Sequence, residues 1–153
     1  MAQLIVKRSD GGVSIGPAGE NPEELVARLE ADPTWVARGW AAVSWRASDS
    51  PVQLPNDGRV FRDAWTDDLP GEQIDADMPK ARNIHMDRIR EKRNAKLAEL
   101  DRDYMRADED NDGPGKAAIA QQKRKLRDLP ATYDLSVHTS PDTLKDDWPP
   151  EVL

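Results

Sequence analysis

A stretch of 31 residues without glycine or proline constrains the fold of this chain more than any other feature of its sequence. It runs from residue 80 to residue 110 and is dense in residues that favour helices. Pro79 precedes it and suits the first position of a helix, where a backbone N–H has no partner. The stretch predicts one helix of about 30 residues and roughly 45 Å, which is long for a globular domain.

Apolar residues follow one side of this predicted helix, with a single charged gap at Arg93. Their steps of three, four and eight residues keep them close to one face, as in a short coiled-coil seam. The seam consists of Met86, Ile89, Leu97, Leu100, Tyr104 and Ala107. It predicts that the long helix packs against a second helix.

Residues 108–115, DEDNDGPG, end the helix and begin like a calcium-binding EF-hand loop. Asp108, Asp110 and Asp112 occupy alternate positions, and a glycine follows them. The twelfth position of such a loop must supply a bidentate carboxylate, but Ile119 stands there. We therefore interpret the stretch as a turn between two helices and expect no metal site.

Folding the chain back at this turn opposes positions whose numbers sum to roughly 225. A second helix at about 115–128, which Pro130 is expected to stop, then lies against the long helix. Leu126 falls beside Leu100 and Ile119 beside Ala107, and the charges of the two helices are complementary. The facing charges are Lys123, Arg124, Lys125 and Arg127 on one helix and Glu99, Asp101 and Asp103 on the other. Because exposed ion pairs contribute only about 0–1 kcal/mol each, they set the register more than they stabilise it.

The first half of the long helix carries more positive charge than the short second helix can cover. Residues 80–96 hold seven basic and two acidic side chains, whereas residues 97–112 hold seven acidic and two basic ones. A solvated face is one interpretation, and a docking surface for an acidic partner or for nucleic acid is the other. The candidate partner-binding residues are Arg88, Arg90, Lys92, Arg93 and Lys96, with Trp148 in the C-terminal tail.

Residues 1–76 follow the pattern of a small mixed domain. LIVKR and VSI flank Asp10-Gly11 and predict a β-hairpin, while Asn21 and Pro22 predict the start of a helix. WAAVSWR at 40–46 and RVFRDAW at 59–65 are rich in aromatic and β-branched residues, which is typical of strands.

These patterns together predict an α+β fold with two domains. Residues 1–76 form a small N-terminal β-sheet with one helix, and residues 77–153 form a long antiparallel helical hairpin. Tyr133, Leu135, Leu144 and Trp148 are spaced so that the C-terminal tail folds back on the hairpin as a hydrophobic clasp.

The sequence offers little that points to catalysis or cofactor binding. It has no cysteine, and His85 and His138 show no metal-ligand spacing and no nucleophile context. Asp146 and Asp147 are adjacent acids for which loop or cap roles are the default. We expect a protein that is not an enzyme, holds no cofactor and has no membrane span, since no apolar run approaches about 18 residues. The net charge of −7 argues against broad nucleic-acid binding.

Two stretches resemble a known group of proteins. QQKRKLRDLPATYDLS followed by PDTLKDDWP resembles the C-terminal module of small bacteriophage tail-region proteins, which include tail-fibre assembly proteins. FRDAW followed by DMPKARNIHMDRIREKR is similar to proteins of this sort from phages and prophages of alphaproteobacteria. The resemblance covers about residues 59–150 and contains no catalytic signature.

The resemblance implies a protein that holds a phage tail or tail-fibre protein through its hairpin. It would act as a virion adaptor or as a tail-fibre assembly protein, in the virion or in the host cytoplasm during assembly. The alternative is a nucleic-acid-binding or regulatory hairpin protein that uses the basic stretch at residues 80–96. Self-association through the interrupted seam stays open.

Overall fold

The computed structural model describes residues 2–68 and 71–153. It has the predicted α+β fold: a three-stranded antiparallel sheet in the N-terminal part and a long helical hairpin in the C-terminal part.

The described residues form two compact units. We call them the N-terminal unit, which extends to Ala81 and includes Ser140–Asp142, and the hairpin unit, which comprises Arg82–Thr139 and Thr143–Leu153. The predicted division into two domains at residues 76 and 77 stays a prediction.

The sheet of the N-terminal unit consists of β1 (Gln3–Arg8), β2 (Val13–Pro17) and β3 (Ala42–Ser48) in the order β2-β1-β3. The predicted hairpin joins β1 and β2. Gly11 takes a φ of 80°, its N–H bonds the Arg8 carbonyl at 3.0 Å, and the Arg8 N–H bonds the Gly12 carbonyl at 2.8 Å. Glycine is needed at this position because a side chain would be strained at such a φ.

Two short helices follow β2, where the sequence predicted one. The first, α1 (Pro22–Glu30), begins as expected, with the Asn21 side chain accepting the Glu24 N–H at 3.4 Å. Pro33 begins a second helix, α2 (Pro33–Arg38), which Asp32 caps by accepting the Thr34 N–H at 2.8 Å. The motif of cap and proline that starts α1 is thus used again.

Hydrophobic residues cover both faces of the sheet. Leu4 and Val6 lie in a cluster with Val26 of α1 and Trp35 of α2. The opposite face is covered by a second cluster that includes Ile5, Val13, Val52, Trp65 and Ile74. Trp35 and Trp65 are therefore core residues, whereas Trp45 on the edge strand β3 is 40% exposed.

The predicted strand at residues 59–65 is wrong. Residues 58–61 form a turn, Arg62–Ala64 form a 3₁₀ helix, and only Trp65–Thr66 form a strand, β4, which pairs with β5 (Asp75–Ala76). The reason is Asp57, whose fully buried carboxylate accepts the backbone N–H groups of Arg59 at 2.8 Å and Phe61 at 3.0 Å and the indole N–H of Trp65 at 3.1 Å. These three hydrogen bonds hold the segment in a compact turn, and they could not form if the segment were an extended strand.

The hairpin consists of α3 (Met78–Glu109) and α4 (Gly113–Thr132). The second helix is longer than predicted, because Pro130 lies inside it instead of stopping it. A proline in the last turn removes one helical N–H, and the Thr132 hydroxyl donates to the Asp128 carbonyl at 3.2 Å in the same turn. A short helix, α5 (Pro141–Leu144), and a final 3₁₀ helix (Pro150–Val152) complete the chain.

Candidate protein-binding surface on the helical hairpin

The acidic stretch between the two long helices forms the predicted turn. Asn111 takes a positive φ of 55°, and the Asp112 N–H bonds the Ala107 carbonyl at 2.8 Å, which closes the end of α3. The Asp112 carboxylate then caps α4 by accepting the Gly115 N–H at 2.9 Å. Asp108 forms an ion pair with Lys116. These acids serve the geometry of the turn.

The helices pair in the predicted register. The ion pairs Lys116–Asp108 and Lys123–Asp101 both join positions whose numbers sum to 224. Between them lies Tyr104, whose ring centre is 5.7 Å from the Lys116 ammonium and 5.2 Å from that of Lys123. Cation–π contacts of this kind add to the same register.

The candidate partner-binding residues of α3 occupy the part of the helix that precedes this ion-paired region. Arg88, Lys92 and Lys96 stand four residues apart and therefore follow one another along one face. Arg90 pairs with Asp87 at 2.7 Å and Lys96 with Glu99 at 3.5 Å. Both pairs join neighbouring turns of the same exposed helix, so each contributes only about 0–1 kcal/mol and leaves its cation available.

Two of the candidate residues are brought together by the tail. The Lys92 ammonium lies 4.1 Å from the centre of a Trp148 ring, and the His85 ring packs against Trp148 with ring centres 4.7 Å apart. The indole N–H donates to the Lys145 carbonyl at 3.2 Å. Trp148 is half-buried and held in place by these contacts. Its contact with Lys92 places it beside the basic face of α3.

A polar cluster fixes the tail on the hairpin, and its centre is Asp147. One carboxylate oxygen accepts the Tyr133 hydroxyl at 2.5 Å, and the other lies 2.7 Å from Nε2 of His138. The backbone carbonyl of Asp147 lies 2.7 Å from Nε2 of the fully buried His85. Because a carbonyl can only accept, Nε2 of His85 carries the proton. Arg82 adds a bond to the His138 carbonyl at 2.7 Å.

The protonation states of this cluster follow from its surroundings. Burial, together with the bond to Asp147, raises the pKa of Tyr133 to about 12. Burial alone would raise the pKa of Asp147, but the hydrogen bonds from Tyr133 and His138 outweigh it and hold that pKa below its ordinary value. Burial lowers the pKa of His85. Near neutral pH the cluster is therefore a charged Asp147, a neutral His85 and a protonated Tyr133.

Sequence reasoning missed this cluster. It treated Asp147 as one of two equivalent loop acids, and for His85 and His138 it noted only that metal-ligand spacing and a nucleophile context are absent. The residues at 133, 138 and 147 follow no helical or strand period, so no spacing rule could have joined them. Polar bonds hold the described tail on its hairpin, and of the predicted apolar residues Leu135 and Leu144 are buried.

Comparisons with known proteins add no further assignment. No protein-family model matches the chain, and no significant match was found to a curated protein or to a solved structure. None of the helices in the described ranges has the length and apolar character needed to cross a membrane.

Proposed function

We propose that this chain is a binding protein of the bacteriophage tail region. It holds another phage structural protein on its helical hairpin, either as a virion adaptor or as a tail-fibre assembly protein. The observation that supports this most is the joining of the basic face of α3 to the fixed Trp148 through Lys92. A tryptophan beside accessible cations is the combination that dominates many protein interfaces.

Charge indicates the chemistry of the partner. On the basic face of α3, Lys92 is exposed, and Lys96, whose side chain is 44% exposed, forms only a weak, solvent-exposed ion pair with Glu99 of the same helix. An acidic surface with an apolar centre fits such a face. The resemblance of residues 59–150 to phage tail-region proteins supplies the setting, a tail or tail-fibre protein made in the same infected cell.

Co-expression with the fibre protein of the same phage tests the hairpin surface. We expect the double variant Lys92→Glu and Lys96→Glu to reduce co-purification of the fibre protein at least about tenfold, because two charges on one face of α3 and the stacking on Trp148 are lost. Arg102→Glu is the matched control, since Arg102 is exposed on the same helix but lies outside the candidate surface. Equal loss in both variants, or no co-purification of the unchanged protein, would reject the proposal.

Mass spectrometry of gradient-purified particles separates the two roles. A virion adaptor is present at a fixed copy number, whereas an assembly protein accompanies the fibre in the lysate and is absent from particles.

The alternative function, nucleic-acid binding by the basic stretch, predicts DNA affinity that falls steeply with salt. Absence of binding to DNA at about 50 mM salt would eliminate it.

A further inference from the structure

The strand β2 forms an open edge of the sheet in the described part of the chain. The Arg8 N–H bonds the Gly12 carbonyl, so the backbone N–H and C=O groups of Arg8 point towards β2. Because these groups alternate in direction along a strand, those of Val6 and Leu4 also point towards β2. The N–H and C=O groups of Val13 and Ile15 consequently point away from β1. The Arg8 guanidinium donates a hydrogen bond to the Val13 carbonyl at 3.1 Å. Both backbone groups of Ile15 and the N–H of Val13 therefore face the open side.

Two cavities flank this edge and share part of their walls. The first, of about 290 Å³, lies on the helix-covered face, and its apolar lining includes Leu4, Val6, Leu25 and Leu29. The second, of about 370 Å³, has Val13, Leu54 and Trp65 in its lining. Both cavities have Ser14, Ile15, Leu29 and Asp32 in their walls, so they form one groove along β2, which we call the β2 groove.

The rim of the β2 groove is basic, although the chain as a whole carries a net charge of −7. Arg28 lines the first cavity, and Arg59 and Arg62 line the second. Within residues 2–68 and 71–153, Arg28 and Arg59 take part in no ion pair, and Arg62 reaches only Asp63 at 4.0 Å. The carboxylate of Asp32 is already used to cap α2.

Backbone strain is found on the same rim. Arg59 takes a φ of 63°, a conformation that is unfavourable for any residue with a side chain. The buried Asp57 carboxylate holds it there through the Arg59 N–H. Residues kept in such conformations by their surroundings occur preferentially at binding sites.

We propose that the β2 groove binds an extended acidic and apolar segment of a partner protein, which adds to β2 as a further antiparallel strand. In this arrangement, the partner residue opposite Ile15 forms two backbone hydrogen bonds with Ile15. Its side chain enters the second cavity, which Trp65 lines. Because adjacent strand residues point to opposite faces, the next side chain enters the helix-side cavity. The segment therefore carries two consecutive aliphatic residues, and flanking carboxylates meet the three arginines. Such strand addition combines main-chain affinity with pocket specificity. The groove lies wholly in the N-terminal unit and does not depend on the function proposed for the hairpin.

The test uses the full chain and the peptide fluorescein-Asp-Glu-Val-Leu-Glu-Asp-amide, which carries its label on the N-terminus. The blocking variant is Gly16→Val, because a Cβ at Gly16 meets no heavy atom within 4 Å and points, with its cross-strand partner Leu4, into the helix-side cavity. Valine also suits a strand, so this variant is expected to fold. We expect its Kd for the peptide to rise at least about tenfold, and Arg59→Glu to weaken binding about fivefold, most strongly at low salt. Arg102→Glu in the hairpin unit is the charge-matched control and should bind like the unchanged protein.

Amide chemical shifts identify the bound position. The amides of Val13 and Ile15 should shift on titration, and replacing the peptide valine by proline should weaken binding because it removes a donor. The proposal is overturned by absence of binding at about 1 mM peptide, by equal affinity of folded Gly16→Val, or by shifts confined to the hairpin unit. Equal binding of the peptide with lysines in place of its acids would also overturn it. Concentration-dependent doubling of mass without peptide, abolished by Gly16→Val, would instead identify a second copy of the chain as the occupant.

Discussion

Asp147 and Asp146 are adjacent in sequence but should differ widely in their effect on the docked tail. Asp147→Ala removes the acceptor of the Tyr133 and His138 bonds and leaves two partly buried donors without a carboxylate. Asp146 is exposed and takes part in no ion pair among the residues described, so Asp146→Ala is the matched control.

The magnitude follows from the two lost bonds. Hydrogen bonds to a charged group contribute about 1.5–3 kcal/mol each. The side chain of Asp147 is 29% exposed and that of His138 17%, so solvent screens both and the lower end of the range applies. We expect the tail to lose about 3 kcal/mol of docking free energy, and Asp146→Ala to change it by less than about 0.5 kcal/mol.

Native-state hydrogen exchange measures this difference directly. A loss of about 3 kcal/mol corresponds to roughly a hundredfold faster exchange of protected tail amides. The Val152 N–H, which bonds the Pro149 carbonyl at 3.1 Å, is one such amide. Unchanged exchange within the ion-paired part of α3 and α4 shows that the hairpin itself remains folded. Equal acceleration by the two variants, or less than about a threefold effect of Asp147→Ala, would refute the assignment of Asp147 as the centre of the cluster.

Three further predictions concern other parts of the molecule. Asp57→Ala leaves two buried N–H donors without an acceptor and should lower the free energy of unfolding of the N-terminal unit by about 2–5 kcal/mol. Urea unfolding followed by tryptophan fluorescence measures this loss, and Asp63→Ala, at an exposed position nearby, should have little effect. Burial lowers the pKa of His85, so the unfolded chain binds more protons than the folded one below pH about 6.5, and the hairpin unit should lose stability as the pH falls through that range. This dependence should be weaker in His85→Gln, and an unchanged pH profile would contradict it. Lys123→Asp should weaken the hairpin by up to about 1 kcal/mol, and adding Asp101→Lys should restore it; a double variant no more stable than the single one in thermal unfolding would show that this pair does not set the register.

The parts of the fold that the sequence predicted correctly are those set by local chemistry. Asn21 and Pro22 start α1 because the cap and the proline act within one turn of the chain. Gly11 makes the β-hairpin because only a glycine takes its φ without strain. The hairpin register followed from charges that lie opposite each other once a turn within residues 108–115 is assumed, and the ion pair of Lys123 with Asp101 confirms it.

The errors occurred where the role of one side chain overrides the general pattern of its segment. Residues 59–65 have the composition of a strand, but the buried Asp57 captures their N–H groups and bends them into a turn. Pro130 was expected to stop α4, yet the helix continues to Thr132, whose hydroxyl donates to the Asp128 carbonyl in the turn where the proline removes one N–H.

The candidate protein-binding surface was likewise predicted only in part from the sequence. Its basic side chains on α3 were identified from charge alone, because a helix displays a run of cations whatever its surroundings. The fixing of Trp148 by His85 and Lys92, and the different roles of Asp146 and Asp147, depend on where the tail returns to the helix. Sequence by itself determined the β-hairpin, the start of α1, the helical hairpin with its turn and the charge of the surface, since these depend on neighbours within a few positions. Only the tertiary structure decided which buried polar groups meet, because such meetings depend on the folded path of the chain and follow no period along it.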